Sequence, residues 1–183
     1  VDYVVETHFP DLVTLEGEAR ILGFFARVVD RVAQTCAAWM AAGFVHGVLN
    51  TDNINATGES FDYGPWRFLP TYEPGFTAAY FDETGLYAFG RQPGAVQWNL
   101  ARLAETLLEL ADRDRLVDAL DGFAAVFDRH AVTSVLGRLG LRPSYDHAAN
   151  TDFLRAWFGF LNESKAGFEQ TFHDWWGGAA SAD

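Results

Sequence analysis

From His46 to Gly64 the chain reads His-Gly-Val-Leu-Asn-Thr-Asp-Asn-Ile-Asn-Ala-Thr-Gly-Glu-Ser-Phe-Asp-Tyr-Gly, a run rich in side-chain oxygens. Oxygen donors converging at short range are what a metal–phosphate site needs. Mg²⁺ takes carboxylate and amide oxygens, keeps several waters, and leaves positions for substrate phosphates. Asn53 and Asp62 stand at the two ends of a predicted β-hairpin, Ile54–Ala56 and Ser60–Phe61, with its turn near Gly58. A hairpin brings its ends together, so an amide oxygen and a carboxylate could share one cation. Gly64 lets the chain turn sharply beside a ligand. Each residue alone has a plainer role. Asn and Asp in such loops form Asx turns, and a His at a strand start is commonly a structural hydrogen-bonding group.

The order of these residues adds information that no single one carries. The protein-kinase signature is H-R-D-L-x-x-x-N followed by D-F-G. With His46 on the signature histidine, the metal-binding Asn falls on Asn53 and the triplet on Asp62-Tyr63-Gly64. The usual catalytic Asp falls on Val48, which cannot accept a proton. The pattern is that of a pseudokinase: metal donors without the ordinary base. Asp52 is the remaining carboxylate close by.

Stepping outward, the spacing of Ile21, Phe24, Phe25, Val28, Val29, Val32, Cys36, Trp39 and Met40 predicts one helix from Glu16 to Ala42, stopped by Gly43. At ~1.5 Å per residue it spans about 40 Å. A shorter amphipathic stretch precedes it and ends near Pro10. Phe44 opens a short strand. Pro65 to Pro93, with Pro or Gly every few residues, predicts an ordered irregular segment. Its Trp66, Tyr72, Phe76, Tyr80, Phe81 and Tyr87 either pack it onto the helices or shape a substrate surface, packing being the simpler role. Helices resume at Gly94 or Ala95 with the stripe Val96, Leu100, Leu103, Leu107 and Leu110. They continue as one or two segments from Arg115 to Leu139, then around Phe153–Leu161, and finally over Phe168–Trp176. Trp98 and Trp157 are assigned to the core, and the tail from Gly177 is expected to fray. Arg67 and Arg91 could meet phosphate or pair with neighbouring acids, pairing being the simpler role. His130, His147 and His173 lack metal-ligand spacing. The fold class expected is mainly α, with a small β-hairpin where the polar residues concentrate.

Composition narrows the function. The 183 residues are 49% hydrophobic and 15% aromatic, ample for a packed core. Thirteen Lys and Arg face 25 Asp and Glu, a net charge of −12. That balance argues against nucleic acid and against anionic membranes as partners. No apolar run is long enough for a membrane helix. The single Cys36 lies on a helical apolar stripe, which predicts a buried, inert thiol. The N-terminus has neither a signal-peptide core nor an initiator Met, which predicts a chain that starts mid-protein.

Several motifs together carry a family resemblance. His46-Gly-Val-Leu-Asn-Thr-Asp-Asn, Phe61-Asp-Tyr-Gly-Pro, Pro74-Gly-Phe, Gln92-Pro and Trp98-Asn-Leu-Ala-Arg-Leu, in that order between Trp39 and Leu107, closely resemble the SelO family. The resemblance implies a protein-kinase-like fold, with residues 1–183 forming its C-terminal lobe. It implies an enzyme that transfers AMP from ATP to Ser, Thr or Tyr hydroxyls of proteins and releases pyrophosphate. Asp52 would be the proton acceptor, and Asn53 and Asp62 would hold Mg²⁺ or Mn²⁺. Asp62 would also meet the nucleotide phosphates through the metal. The implied partners are ATP, protein substrates and an N-terminal lobe of the same protein, in a bacterial-type, cytoplasmic setting. Residues 1–38 show no glycine-rich loop followed by a strand lysine, so the lobe alone is expected to bind ATP weakly and transfer little. A non-catalytic pseudokinase scaffold and a helical interaction module are the competing readings.

Overall fold

The computed structural model describes residues 1–178. Helices α1 (Asp2–His8), α2 (Gly17–Ala42), α3 (Gln92–Thr106), α4 (Arg113–Asp121), α5 (Phe123–Arg138), α6 (His147–Ser164) and α7 (Phe168–Asp174) accompany one antiparallel ribbon of β1 (Phe44–His46) and β2 (Trp66–Phe68), whose second strand is exposed. The mainly helical expectation holds. No described helix is long and apolar enough to cross a membrane.

Helix α2 organises the molecule. Its buried face, Ile21, Phe24, Phe25, Val28, Val29, Val32 and Cys36, is the predicted stripe. Helices α3, α4 and α5 pack against it. Burial pushes the Cys36 thiol pKa far above its usual range, so the thiol is inert as expected. Gly43 ends α2 in the left-handed conformation, φ 67°, with its N–H on the last-turn carbonyls. A second core gathers Val135, Leu139, Trp157, Leu161, Phe168 and Phe172 from α5, α6 and α7.

Several expectations need correction. The predicted irregular segment contains β2, which pairs Phe68, Arg67 and Trp66 with Phe44, Val45 and His46. The partner strand lies far off in sequence, so no local pattern announces it. The predicted hairpin reduces to one bridge, Ile54 with Ser60, closed by the Asn55 N–H to Glu59 O at 2.8 Å. Helix α3 begins at Gln92, because Pro93 is tolerated in a first turn. It ends at Thr106, and Leu110 is exposed. Trp98 is not core but 56% exposed. At about 100° per residue it lies on the face opposite Val96. In the aromatic segment Tyr72, Phe76 and Tyr87 are half-buried, whereas Trp66, Tyr80 and Phe81 are exposed. Arg91 donates to the Thr84 and Gly85 carbonyls at 3.1 Å each rather than to an acid. Arg67 stands exposed on β2, and no ion pair involves it among the described residues. His130 pairs with Asp30 at 2.9 Å. Gly177 is not frayed: its N–H donates to Leu139 O at 2.8 Å. The tail beyond 178 lies outside the described residues.

Candidate functional site

The polar run folds around the buried His46. Strand β1 delivers His46 from the end of α2, and its own backbone N–H donates to Gln92 Oε1 at 2.8 Å. Gln92 Nε2 returns a bond to Phe44 O at 3.0 Å, so the first residue of α3 clamps β1 from within the core. The ring's Nδ1 accepts the Val48 N–H at 3.3 Å, and its Nε2 lies 3.0 Å from Ser60 Oγ. Ser60 Oγ donates to Asn53 O at 2.6 Å. The serine's only proton is thereby used, so Nε2 carries the ring proton and donates to Oγ. Burial holds the imidazole pKa below its ordinary value, while the nearby Asp62 carboxylate pulls it back up.

Asn53 and Asp52 sit in a 3₁₀ turn, Thr51–Asn53. The turn sends adjacent side chains in different directions: Asn53 is buried and Asp52 is exposed. Asn53 Nδ2 donates to Val48 O at 2.7 Å, which fixes its amide with Oδ1 as the remaining polar atom. Asp62 is exposed and lies close enough to His46 to influence its charge. Tyr63 anchors it there by packing its ring 5.6 Å from His46 and 5.7 Å from Phe44. His46 thus neighbours both segments: the Asn53 backbone carbonyl through Ser60, and Asp62 within electrostatic reach. The amide oxygen and carboxylate are hard donors that suit Mg²⁺ or Mn²⁺. Among the described residues no group of three or more His, Cys, Asp or Glu gathers in metal-binding fashion. A two-donor set fits a cation whose other positions go to water and phosphate. Val48, at the usual base position, gives the site only its backbone.

Asp52 faces a different neighbourhood. Burial, Asp82 and then Asp52 raise the Tyr87 phenol pKa, so the Asp52 carboxylate lies within electrostatic reach of that ring. The Tyr87 hydroxyl donates to Asn50 Oδ1. Ser60, Gln92 and Asn99 also shape this region, and for Gln92 and Asn99 the signal in the sequence is polarity on an otherwise apolar helical pattern. Asn99 Nδ2 donates to Leu49 O at 3.0 Å and so ties α3 to the loop before Asp52.

Comparisons with known proteins agree with one another. A family model described as protein adenylyltransferase SelO matches residues 1–177. A protein nucleotidyltransferase YdiU of Synechocystis is 44% identical over 142 residues, which cover 77% of this chain and 30% of that protein. The namesake from Trichormus variabilis is 42% identical over 174 residues, 95% of this chain and 35% of that protein. One from Rhodococcus jostii is 41% identical, covering 93% and 34%. The chain thus spans about a third of the length of the curated relatives it matches.

Proposed function

The chain belongs to the SelO family, and from that premise we propose that it carries the catalytic loop and metal donors of a protein adenylyltransferase with a kinase-like fold. Residues 1–183 form the C-terminal lobe in this reading, and an N-terminal lobe of the same protein supplies the rest of the ATP pocket. The observation that supports it is that the Asn53 backbone carbonyl, through Ser60, and the Asp62 segment both neighbour the buried His46.

Asn53 Oδ1 and the Asp62 carboxylate would hold Mg²⁺ or Mn²⁺, which would supply charge neutralisation for the ATP phosphates when bound. His46, neutral and fully bonded, takes no part in proton transfer. Through Ser60 it fixes the Asn53 backbone, and its ring packs against Tyr63 next to Asp62. Asp52, exposed on the 3₁₀ turn, accepts the proton of the incoming Ser, Thr or Tyr hydroxyl. That oxygen bonds to the α-phosphorus, the bond from the α-phosphorus to the bridging oxygen breaks, and pyrophosphate leaves with the electron pair.

The test is AMP transfer by the full-length protein, followed with ATP labelled at the α-phosphate. Asp62→Ala and Asn53→Ala should each abolish labelling. Asp52→Ala should slow it by ~10²–10⁴-fold, the usual contribution of a general base. Undiminished labelling by Asp62→Ala would overturn the metal assignment. Nucleotide binding without any labelling would favour a non-catalytic scaffold, the reading that Val48 suggests.

A further inference from the structure

Helix α3 lies beside the chain that runs from β1 to the Thr51–Asn53 turn. Gln92 and Asn99 are seven positions apart, about two turns, so they share one face of the helix, and both are buried. Gln92 holds β1 at Phe44 and His46, while Asn99 Nδ2 reaches Leu49 O at 3.0 Å.

The two amides use their atoms differently. Gln92 is satisfied at both ends: Oε1 accepts the His46 N–H and Nε2 donates to Phe44 O. Asn99 is satisfied at one. Its Oδ1 is buried and has no hydrogen-bond partner among the described residues. A buried acceptor left open is destabilising, and a native orphan of this kind calls for an explanation. An apolar residue at position 99 would exchange one open acceptor, Oδ1, for another, Leu49 O, with little net effect on the fold. Two cavities, both also bordered by Trp98, flank Asn99 and leave room for such a residue. Stability therefore does not account for the amide. What the amide adds is a fixed Leu49 carbonyl.

That carbonyl lies three residues before Asp52. The loop between them is held at successive points: Asn53 Nδ2 takes Val48 O, Asn99 Nδ2 takes Leu49 O, and the Tyr87 hydroxyl donates to Asn50 Oδ1. The first bond is internal to the loop, and the third comes from a turn. Of the three, the Asn99 bond is the one that ties the loop backbone to a core helix. The Leu49 side chain is buried in the first core. The peptide unit that follows it is planar, so fixing its oxygen fixes the direction in which the chain enters the turn. Asn53 is held separately, through Val48 O and Ser60, so the proposed metal donor does not depend on this bond.

We propose that Asn99 is a positioning residue for transfer: by holding the Leu49 carbonyl it sets the start of the Thr51–Asn53 turn and so aims the exposed Asp52 carboxylate at the incoming hydroxyl. This rests on the adenylyltransferase reading above, in which Asp52 accepts the proton.

The experiment follows label from α-labelled ATP, with the full-length protein, into casein and into the protein itself. A misplacement of about 1 Å slows a reaction by ~10²-fold, so Asn99→Leu should lower kcat by roughly 10- to 100-fold. The KM for ATP should be unchanged, and the melting temperature should stay within a few degrees of wild type. Asn99→Ala repeats the test with a side chain too small to overpack. Added to Asp52→Ala, either substitution should slow labelling no further, because the carboxylate it would misplace is already gone. An unchanged kcat in a folded variant, a raised KM for ATP, or equal slowing of wild type and Asp52→Ala would overturn the proposal. So would a large fall in melting temperature in both variants, which would give Asn99 a purely structural role. Full-rate labelling by Asp52→Ala, or no label from wild type, would instead sink the reading on which the proposal rests, and each is seen without any change at Asn99.

Discussion

His46 repays attention at the scale of a single residue, because its protonation state follows from its partners. Nδ1 faces the Val48 N–H, so a proton placed on Nδ1 would set donor against donor. The folded chain therefore resists protonation, in line with the lowered pKa. The unfolded histidine titrates near its ordinary value of 6.5. Above that pH both states are neutral there and the full stability is present. As pH falls below it, the unfolded chain takes up a proton that the folded chain refuses, and stability declines. Urea midpoints should fall between pH 7.5 and pH 5.5, and His46→Gln should flatten that slope. A slope unchanged by the substitution would assign the titration elsewhere. Ser60→Ala leaves the ring N–H without its partner inside the protein. It should cost about 1–3 kcal/mol by denaturant unfolding, and it should also weaken AMP transfer by loosening Asn53.

Two glycines do work at the scale of elements that no other residue could. Gly43 ends α2 at φ 67°, and a Cβ there would lie 2.7 Å from the Phe168 ring. Gly43→Ala combines left-handed strain of about 1–2 kcal/mol with that collision. The melting temperature should drop by roughly 2–4 °C per kcal/mol lost. Gly47 lets β1 approach the chain beyond the Asp62 triplet: its N–H meets Pro65 O at 2.8 Å, and a Cβ would come within 2.4 Å of that same oxygen. Gly47→Ala must push the Asp62 segment away from β1. It should cut transfer by the full-length protein more than it lowers the melting temperature; the reverse order would mean that this contact serves stability alone.

Across the whole molecule, two hydrophobic cores meet along α2 and α5. Arg138 spans the second of them. Its guanidinium lies 4.1 Å from the Phe172 ring centre, donates to Ala41 O at 2.7 Å and pairs with Glu169 at 2.6 Å. One side chain thus joins the end of α2, the end of α5 and α7. Hydrogen bonds to charged groups contribute about 1.5–3 kcal/mol, so Arg138→Ala should destabilise within that range, and Arg138→Lys should recover only part, having no planar fork. Leu161, fully buried in the same core, should cost about 2–5 kcal/mol on truncation to Ala. A shift below ~1 kcal/mol for Leu161→Ala, against that expected range, would show the second core to be loosely packed.

Much of this was written locally. The stripe from Ile21 to Cys36 determines α2, because a 3.6-residue period exposes one face to a partner whatever that partner is. Gly43 stops the helix for a backbone reason that needs no neighbour. The separation of His46 from Asn53, and the Asp62-Tyr-Gly triplet beyond them, were equally legible, since a loop of set length carries its donors with it. Tertiary structure alone decided the rest. Strand β2 exists because β1 is there to pair with it across some twenty residues. Trp98 faces a cavity rather than the core because α2 covers the opposite side of α3. Gln92 and Arg91 are neighbours in sequence, yet one is buried between strand carbonyls and the other holds a surface turn. Residue type sets which bonds a side chain can make; which atoms arrive to make them depends on packing between segments distant in the chain, and no local periodicity encodes that.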